Sequence, residues 1–218
     1  RTKQLTFGKS KNSDIRAENI KFSKDKLFIN FRIVTIDDSI EIKLPLPGQH
    51  NVMNALAAAA CCLSLDISMQ AIKKGLENMR PIKGRLEIRS GKKNVRIIDD
   101  TYNANPTSLD AAIKTLSDMK GSRFIVLGDM GELGQDAVRF HEDVGVIAKQ
   151  NNIDGLFTIG DLSMNATKSF GKGAFHFSNY DELGESLTRI LNKDTNILVK
   201  GSRAMKMEKI VEMLTEKN

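Results

Sequence analysis

The sequence contains no tryptophan, only two cysteines and only four prolines among its 218 residues. Cys61 and Cys62 are adjacent in an alanine-rich run, so they cannot build a disulfide framework, and such sparse cysteine is typical of a reducing compartment. No apolar run reaches the roughly 18–20 residues that a membrane span requires, and the longest candidate covers residues 55–65. The chain begins at Arg1 without a signal-peptide pattern. We therefore expect a piece of a longer cytoplasmic protein without a membrane partner.

Aromatic residues are also scarce, at 6%, and this affects how the net charge of +6 is interpreted. Residues 1–98 hold 19 Lys and Arg against 9 Asp and Glu, whereas residues 99–218 hold 14 against 18. The basic residues are scattered over predicted strands and turns, without an Arg-rich helix or the aromatic side chains on which bases stack. We therefore expect no nucleic-acid partner. A basic half and an acidic half also suit a phosphate-bearing small substrate.

The first 84 residues have a β-pattern followed by two helical patterns. Apolar or alternating segments predict strands at residues 5–7, 15–22, 27–36 and 39–46. A helix is predicted at 50–65, with Asn51 as its N-cap, and a second at 68–79. These strands have no evident layer to pack against. We therefore expect this region to be the end of a domain that begins upstream.

From about Gly91 onward, short apolar strands alternate with amphipathic helices. The strands are predicted at residues 95–98, 124–127, 155–159, 174–177 and 197–199. The helices are predicted near 107–119, 136–150, 161–169, 181–192 and 204–216. This alternation predicts an α/β fold with a parallel sheet and right-handed crossovers. Ligands of such sheets bind at the carboxyl ends of the strands. We therefore expect the functional residues there.

Two adjacent carboxylates, Asp99 and Asp100, follow the first of these strands. They could accept hydrogen bonds from ribose hydroxyls, help to hold a cation, or belong to a solvated turn. Asn105 and Pro106 have a structural explanation, because Asn caps helices and Pro suits a first turn.

The second strand leads into a glycine-rich turn. Gly128, Gly131 and Gly134 are spaced three apart, so the dinucleotide-binding fingerprint fails, and no P-loop pattern occurs anywhere in the chain. The turn either lets the backbone approach a ligand or is an ordinary flexible loop. His141, in the following helix, is either a capping or packing residue or a catalyst.

The last strand ends in Lys200-Gly201-Ser202-Arg203, which we expect to lead directly into a helix. A lysine, a hydroxyl and an arginine at a helix N-terminus predict an anion pocket. In the first half, His50, Asn51 and Asn54 open a helix, and two carboxamides on one face together with a histidine suggest hydrogen bonding to a base edge or to phosphate-bound water. His50 alone predicts no metal site.

Taken together, these segments resemble the ATP-dependent Mur ligases of peptidoglycan synthesis. The resemblance is carried in order by residues 46–58, 84–86, 99–106, 127–134 and 199–203, with Met207 and Glu208 close behind. It is greatest to the member that joins D-alanyl-D-alanine to UDP-N-acetylmuramoyl-tripeptide.

The resemblance implies an enzyme of three domains. Residues 1–84 would be the C-terminal part of the central ATP-binding domain, and residues 85–218 a C-terminal Rossmann-like domain with helices on both faces of a mostly parallel sheet. It implies that ATP, with Mg²⁺, phosphorylates the substrate carboxylate, and that the amine of D-alanyl-D-alanine then attacks the acyl phosphate. The P-loop and the main Mg²⁺ ligands would lie upstream of Arg1, so we expect this polypeptide alone to be inactive.

The resemblance also implies site residues. It assigns the nucleotide to Asn51, Asn54, Arg85, Asp100, Tyr102 and Asn103. It assigns catalysis to Lys200, Arg203 and His50, substrate binding to Asn105, Asp129 and Ser202, and a metal to no residue of this chain. Asp100 is preferred to Asp99 for the ribose because the family's nucleotide-binding carboxylate stands just before the loop.

The expected partners are small molecules only, namely the UDP-sugar tripeptide, D-alanyl-D-alanine and ATP, and the expected protein is a cytoplasmic monomer. Three alternatives remain open at this point. The chain could belong to another Mur ligase, to a folylpolyglutamate-type ligase, or to a non-enzymatic nucleotide-binding module on the same sheet.

Overall fold

The computed structural model describes residues 4–23 and 27–216, and the chain forms two compact units, Arg1–Pro81 and Ile82–Asn218. The predicted boundary, after residue 84, lies three residues later than this division. Residues 24–26, between the second and third predicted strands, lie outside the described residues. Within the described ranges, no helix combines the length and apolarity that crossing a bilayer requires.

The first unit contains a four-stranded sheet in sequence order. Its strands are β1 (Phe7–Gly8), β2 (Ile15–Phe22), β3 (Ile29–Val34) and β4 (Ser39–Leu44). β1 runs parallel to β2, and the other pairs are antiparallel. The pairing of β2 with β3 has a register shift between Glu18 and Lys21 of β2. The alternation of apolar residues therefore located these strands well, although β3 and β4 end two residues earlier than predicted.

Two helices supply the packing layer that the sequence did not reveal. They are α1 (His50–Ser64) and α2 (Met69–Glu77). Phe31 of β3 and Leu56 of α1 are both fully buried in one core that also includes Ile72 of α2. The expectation that this sheet lacks a partner layer was therefore wrong. The reason is that the alanine-rich face of α1 buries small side chains, which give a weak hydrophobic pattern.

The second unit contains a six-stranded sheet in the order β5-β6-β10-β7-β8-β9. Its strands are β5 (Glu87–Ser90), β6 (Arg96–Asp100), β7 (Ser122–Gly128), β8 (Gly155–Ile159), β9 (Ala174–Phe177) and β10 (Thr195–Lys200). Its helices are α3 (Pro106–Ser117), α4 (Ala137–Gln150), α5 (Met164–Phe170), α6 (Tyr180–Ile190) and α7 (Glu208–Leu214). β6 to β10 are parallel, as expected. The sequence missed β5, which pairs antiparallel to β6, because its four residues are mostly polar and only partly buried.

Helices cover both faces of this sheet. Leu109 of α3, Val144 of α4 and Phe170 of α5 belong to one core, and Leu187 of α6 and Val211 of α7 belong to the other. The α/β fold with helices on both faces is thereby confirmed. The central strands β6, β10 and β7 end side by side at Asp100, Lys200 and Gly128, so their carboxyl ends bring the predicted site residues of this unit to one edge.

Candidate active site

Asp100 lies at this edge, as the last residue of β6. It is 8% exposed and stands in register with Lys200 of the neighbouring β10. Its Oδ1 accepts a hydrogen bond from the backbone N–H of Leu86 at 3.1 Å, and its Oδ2 accepts one from Lys200 Nζ. A carboxylate has about four acceptor positions. Asp100 thus connects two segments at the edge of the sheet.

Asp99 has different surroundings because successive strand residues point to opposite faces. Its side chain is 1% exposed, and its Oδ1 accepts hydrogen bonds from the N–H of Thr101 at 3.3 Å and from Thr101 Oγ1 at 2.7 Å. Its Oδ2 lies 3.7 Å from Arg89 Nη1. Asp99 is therefore enclosed by protein. The sequence prediction placed both carboxylates beyond the strand, but the structure includes them in β6.

Arg85 and Tyr102 form an exposed stack beside Asp100. The Arg85 guanidinium lies 4.0 Å from the centroid of the Tyr102 ring, and 49% of Tyr102 is exposed. The Tyr102 N–H donates to Gly84 O at 2.9 Å. Leu86, which follows Arg85, has a φ of 49°. A left-handed conformation costs a non-glycine residue about 1–2 kcal/mol, and here Leu86 is held in it by the bond to Asp100 and by burial.

Lys200 is 2% exposed, so it does not project from the edge of the sheet. Its Nζ donates to the Asp100 carboxylate and to Asn103 O, the latter at 2.9 Å. Burial lowers the pKa of the Lys200 ammonium, Asp100 opposes that shift, and Arg85 adds to it. The prediction that Lys200 faces a substrate stays a prediction, and its observed partners are protein atoms.

The loop after β6 contains two further predicted residues. The Asn103 side chain is exposed and accepts the N–H of Ala104 at 2.9 Å. Asn105 is the N-cap of α3, and its side chain accepts the Ser108 N–H at 2.8 Å in a capping box with Pro106 in the first turn. The structural explanation of Asn105 therefore holds, and its predicted role in substrate binding stays a prediction.

The glycine-rich turn after β7 is anchored by Asp129. Its carboxylate accepts the backbone N–H groups of Leu162, at 3.1 Å and 3.2 Å, and Ser163, at 2.7 Å. Its own backbone O accepts the N–H of Ser202 at 2.8 Å. The predicted substrate residue Asp129 thus has bonds that order the start of α5, and a role toward substrate stays a prediction.

His141 supports the same turn from α4. It is fully buried, its Nε2 accepts the Met130 N–H at 2.9 Å, and its Nδ1 lies 2.7 Å from Ala137 O. Because Nε2 is the acceptor, Nδ1 carries the proton and donates to that carbonyl. Of the two open alternatives, the structure supports a packing and positioning residue.

The segment after β10 differs from the prediction. Arg203–Met205 form a single 3-10 turn, Lys206 is left-handed with a φ of 49°, and α7 begins only at Glu208. The expectation that the chain enters a helix directly after Arg203 was therefore wrong, and the anion pocket stays a prediction. The left-handed residue interrupts the helical path, and the Arg203 Nη2 is paired with Glu208 Oε1 at 3.1 Å.

Ser202 and Arg203 nevertheless occupy the edge of the sheet. Ser202 is 8% exposed, whereas the Arg203 side chain is 65% exposed. A Cβ on Gly201 would lie 3.1 Å from Gly128 Cα, so the two glycines let the ends of β10 and β7 approach closely. This approach brings Ser202 next to the glycine-rich turn.

Two residues of this region were missed as candidates, Tyr180 and Glu208. The Tyr180 hydroxyl donates to Met205 O, and the pKa of Tyr180 is raised by burial, then by the charges of Glu208 and Asp129. Glu208 Oε2 is buried without a hydrogen-bond partner among the described residues. Glu208 stood in the sequence beside Met207, but no spacing rule assigns it a role.

In the first unit, His50, Asn51 and Asn54 lie in the first turn of α1. Gln49 is the N-cap, so the prediction of Asn51 in that position was wrong. Asn51 instead donates from Nδ2 to Pro47 O at 2.6 Å and accepts from Asn54 Nδ2 at 3.1 Å. The two carboxamides share one face, and Asn54 is exposed. Their predicted contact with adenine stays a prediction.

No three His, Cys, Asp or Glu side chains are grouped to hold a metal ion within residues 4–23 and 27–216.

Two family descriptions match the sequence. Residues 1–62 match "Mur ligase middle domain", and residues 84–203 match "Mur ligase, glutamate ligase domain". Among curated proteins, the chain is 42% identical over 214 residues to the UDP-N-acetylmuramoyl-tripeptide–D-alanyl-D-alanine ligase of Buchnera aphidicola subsp. Baizongia pistaciae, covering 97% of this chain and 46% of that protein. It is 39% identical to the ligase of the same name from Escherichia coli K12, covering 94% and 45%.

Solved structures agree with these matches. MurF from Acinetobacter baumannii has a TM-score of 0.87 at 34% identity, covering 98% of this chain and 47% of that one. MurF ligase from Thermotoga maritima in complex with ADP has a TM-score of 0.82 at 25% identity, covering 96% and 47%. The chain thus spans about half the length of the relatives that it matches. The resemblance seen in the sequence is confirmed, and the chain belongs to the Mur ligase family.

Proposed function

We propose that this chain is one half of an ATP-dependent ligase that joins D-alanyl-D-alanine to UDP-N-acetylmuramoyl-tripeptide. This half contributes residues that bind the nucleotide and residues that bind the amine. The observation that carries the proposal is the exposed Arg85–Tyr102 stack beside the Asp100 carboxylate, at the carboxyl ends of the central strands. The relatives at 42% and 39% identity bear the name of that ligase, and the Thermotoga maritima relative is in complex with ADP.

On the nucleotide side, the chemistry of the edge suits a nucleoside phosphate. A guanidinium stacked on an aromatic ring presents its donors to phosphate oxygens, so Arg85 binds phosphate and Tyr102 supports it. The Asp100 carboxylate accepts from the ribose hydroxyls, and the exposed Asn103 lies on the adjoining loop. In the first unit, Asn51 and Asn54 offer carboxamides to the adenine edge, and His50 lies beside them.

On the amine side, Arg203 and Ser202 bind the carboxylate of the dipeptide, with Asp129 and Asn105 on the neighbouring loops. In the reaction, the tripeptide carboxylate receives the terminal phosphoryl group of ATP, the dipeptide amine attacks the acyl carbon, and phosphate leaves. The residues of this chain orient the two substrates and supply positive charge, so their contribution is positioning and electrostatic stabilisation.

The reaction needs Mg²⁺ to neutralise phosphate charge, and we infer that its ligands belong to a part of the protein outside this chain. The whole enzyme acts as a cytoplasmic monomer on small molecules and binds no nucleic acid. Residues 1–84 then belong to the C-terminal part of the ATP-binding domain, and residues 85–218 form the C-terminal domain.

The test is phosphate release from ATP by the natural full-length protein in the presence of UDP-N-acetylmuramoyl-tripeptide. Release that requires both the tripeptide and D-alanyl-D-alanine is the expected result. Release with a single amino acid or with glutamate instead would place the protein with another Mur-type or folylpolyglutamate-type ligase. No release with any amine would leave only a nucleotide-binding module.

The nucleotide assignment has its own variants. We expect Arg85→Ala and Asp100→Ala each to weaken ADP binding about 10- to 100-fold, because a hydrogen bond to a charged group contributes about 1.5–3 kcal/mol. Isothermal titration calorimetry measures this change. Arg189→Ala, at an exposed arginine of α6, is the matched control and should bind ADP like the unaltered protein. Equal affinity in all three variants would contradict the assignment.

A further inference from the structure

Lys200 has no route to a substrate that approaches the edge of the sheet from solvent. The residue is 2% exposed, and two of the three donors that an ammonium carries go to Asp100 and to Asn103 O. Arg203, three residues later, has a side chain that is 65% exposed. The two cations of this segment are therefore in different situations, one enclosed and one accessible.

The contacts of Lys200 lead to the nucleotide side of the site. Through Oδ2, Asp100 binds Lys200, and through Oδ1 it binds the N–H of Leu86 at 3.1 Å. The N–H of Tyr102 binds Gly84 O at 2.9 Å. Arg85 lies between Gly84 and Leu86, whose backbone groups make these two hydrogen bonds. The direction of the Arg85 side chain therefore depends on both bonds.

The second acceptor of Lys200 lies on the other side of Tyr102. Asn103 O accepts from Lys200 Nζ at 2.9 Å, which ties the loop after β6 to the end of β10. Tyr102 is thus bracketed by Asp100 and Asn103, and Lys200 contacts both of them. An alkyl chain in place of Lys200 would take the ammonium away from the buried Asp100 carboxylate, and the Asn103 carbonyl would lose the bond from Nζ.

We propose that Lys200 is a positioning residue of the nucleotide side, which acts through Asp100 and Asn103 to orient Arg85 and Tyr102 and does not contact the dipeptide or the transferred phosphoryl group. This inference rests on the proposed function and reassigns Lys200, to which the family resemblance gave a catalytic role. The accessible cation of the segment, Arg203, remains on the amine side.

The first experiment compares Lys200→Met with Lys193→Met in the natural full-length protein. Lys193 is an exposed lysine just before the amino end of β10 and serves as the matched control. We expect Lys200→Met to weaken ADP binding at least tenfold in calorimetry while the KM for D-alanyl-D-alanine changes less than twofold. Lys193→Met should change neither value. A raised KM for the dipeptide with unchanged ADP affinity would overturn the proposal.

The second experiment is a double-mutant cycle with Asp100→Asn. Asparagine keeps an oxygen for the Leu86 N–H and removes the buried charge that Lys200 neutralises. Because only the bond to Asn103 O is then left to lose, the double variant Lys200→Met/Asp100→Asn should bind ADP less than tenfold more weakly than Asp100→Asn alone. If the two effects multiply instead, Lys200 acts independently of Asp100 and the proposal fails.

The double variant also serves where Lys200→Met alone does not fold, since it contains no unpaired buried charge. Its comparison with Asp100→Asn then decides the matter by the same criterion. ADP binding without ligation by the unaltered protein would overturn the proposed function and leave this inference standing. Absence of ADP binding by the unaltered protein would overturn both.

Discussion

Asp99 and Asp100 show how differently two adjacent carboxylates can be used. Both were candidates in the sequence. They differ because successive side chains of a strand point to opposite faces of the sheet. Asp99 faces Arg89 and Thr101 and is enclosed, whereas Asp100 faces Lys200 and the N–H of Leu86. The preference for Asp100 came from family resemblance. Its link to Leu86 could not be foreseen, because it joins residues 14 apart through a left-handed backbone.

Tyr180 gives a pH-dependent prediction at the same scale. Burial and the charges of Glu208 and Asp129 raise the pKa of Tyr180 above 10.0, so the folded state keeps a proton that the unfolded chain releases. Stability therefore falls as the pH rises from 10.0 through the folded-state pKa of Tyr180. The chain has only two tyrosines, so absorbance of tyrosinate resolves this titration.

Tyr180→Phe provides the control for that measurement. The variant should lose the titration step above pH 10. A step below pH 10 that disappears in Tyr180→Phe would contradict the assignment.

At the scale of elements, the local pattern of apolar residues located strands and helices but did not give the first residue of every helix. The segment from Lys200 to Arg203 was expected to enter a helix directly, yet α7 begins at Glu208 after a left-handed Lys206. Residues 203–208 are all good helix formers, so the sequence favours a helix from Arg203 onward. The interruption follows from packing, since Met207 is fully buried beside Gly128 and Gly201 and α7 must lie across β6 and β10.

The start of α3, by contrast, was visible in the sequence and gives a prediction. Asn105→Ala removes the acceptor of the Ser108 N–H, so we expect a loss of about 1 kcal/mol in the free energy of unfolding. Denaturant unfolding of the 218-residue chain measures it. Asn105→Asp preserves the cap and should unfold like the unaltered chain.

The same pair separates capping from substrate binding. If Asn105 also binds substrate through its amide donor, Asn105→Asp in the full-length protein lowers ligation while stability is unchanged. Equal unfolding free energies for Asn105→Ala and the unaltered chain would show that the cap contributes nothing.

At the scale of the whole molecule, the chain consists of two units, each with a core of its own. The core of the first unit includes Phe31 and Leu56, and the second unit has a core on each face of its sheet. The chain covers 46% and 45% of the two curated relatives compared above. Its sequence contains no P-loop pattern.

A functional prediction follows at this scale. The 218-residue chain by itself should release no phosphate from ATP above the blank, with UDP-N-acetylmuramoyl-tripeptide and D-alanyl-D-alanine both present. The full-length protein, assayed in parallel, is the positive control. Ligation by the 218 residues alone would mean that the missing phosphate-binding group is dispensable.

The sequence by itself determined the α/β class, the parallel strands, the carboxyl edge at which the polar residues collect, and the family. These follow from short-range periodicity and from strings of residues that are contiguous in the chain. Only the tertiary structure decided that Lys200 is enclosed, that Asp99 and Asp100 face apart, and that α1 and α2 cover the first sheet. Each of these depends on residues far apart in the sequence, such as Asp100 and Lys200, whose contact is created by the register of β6 with β10.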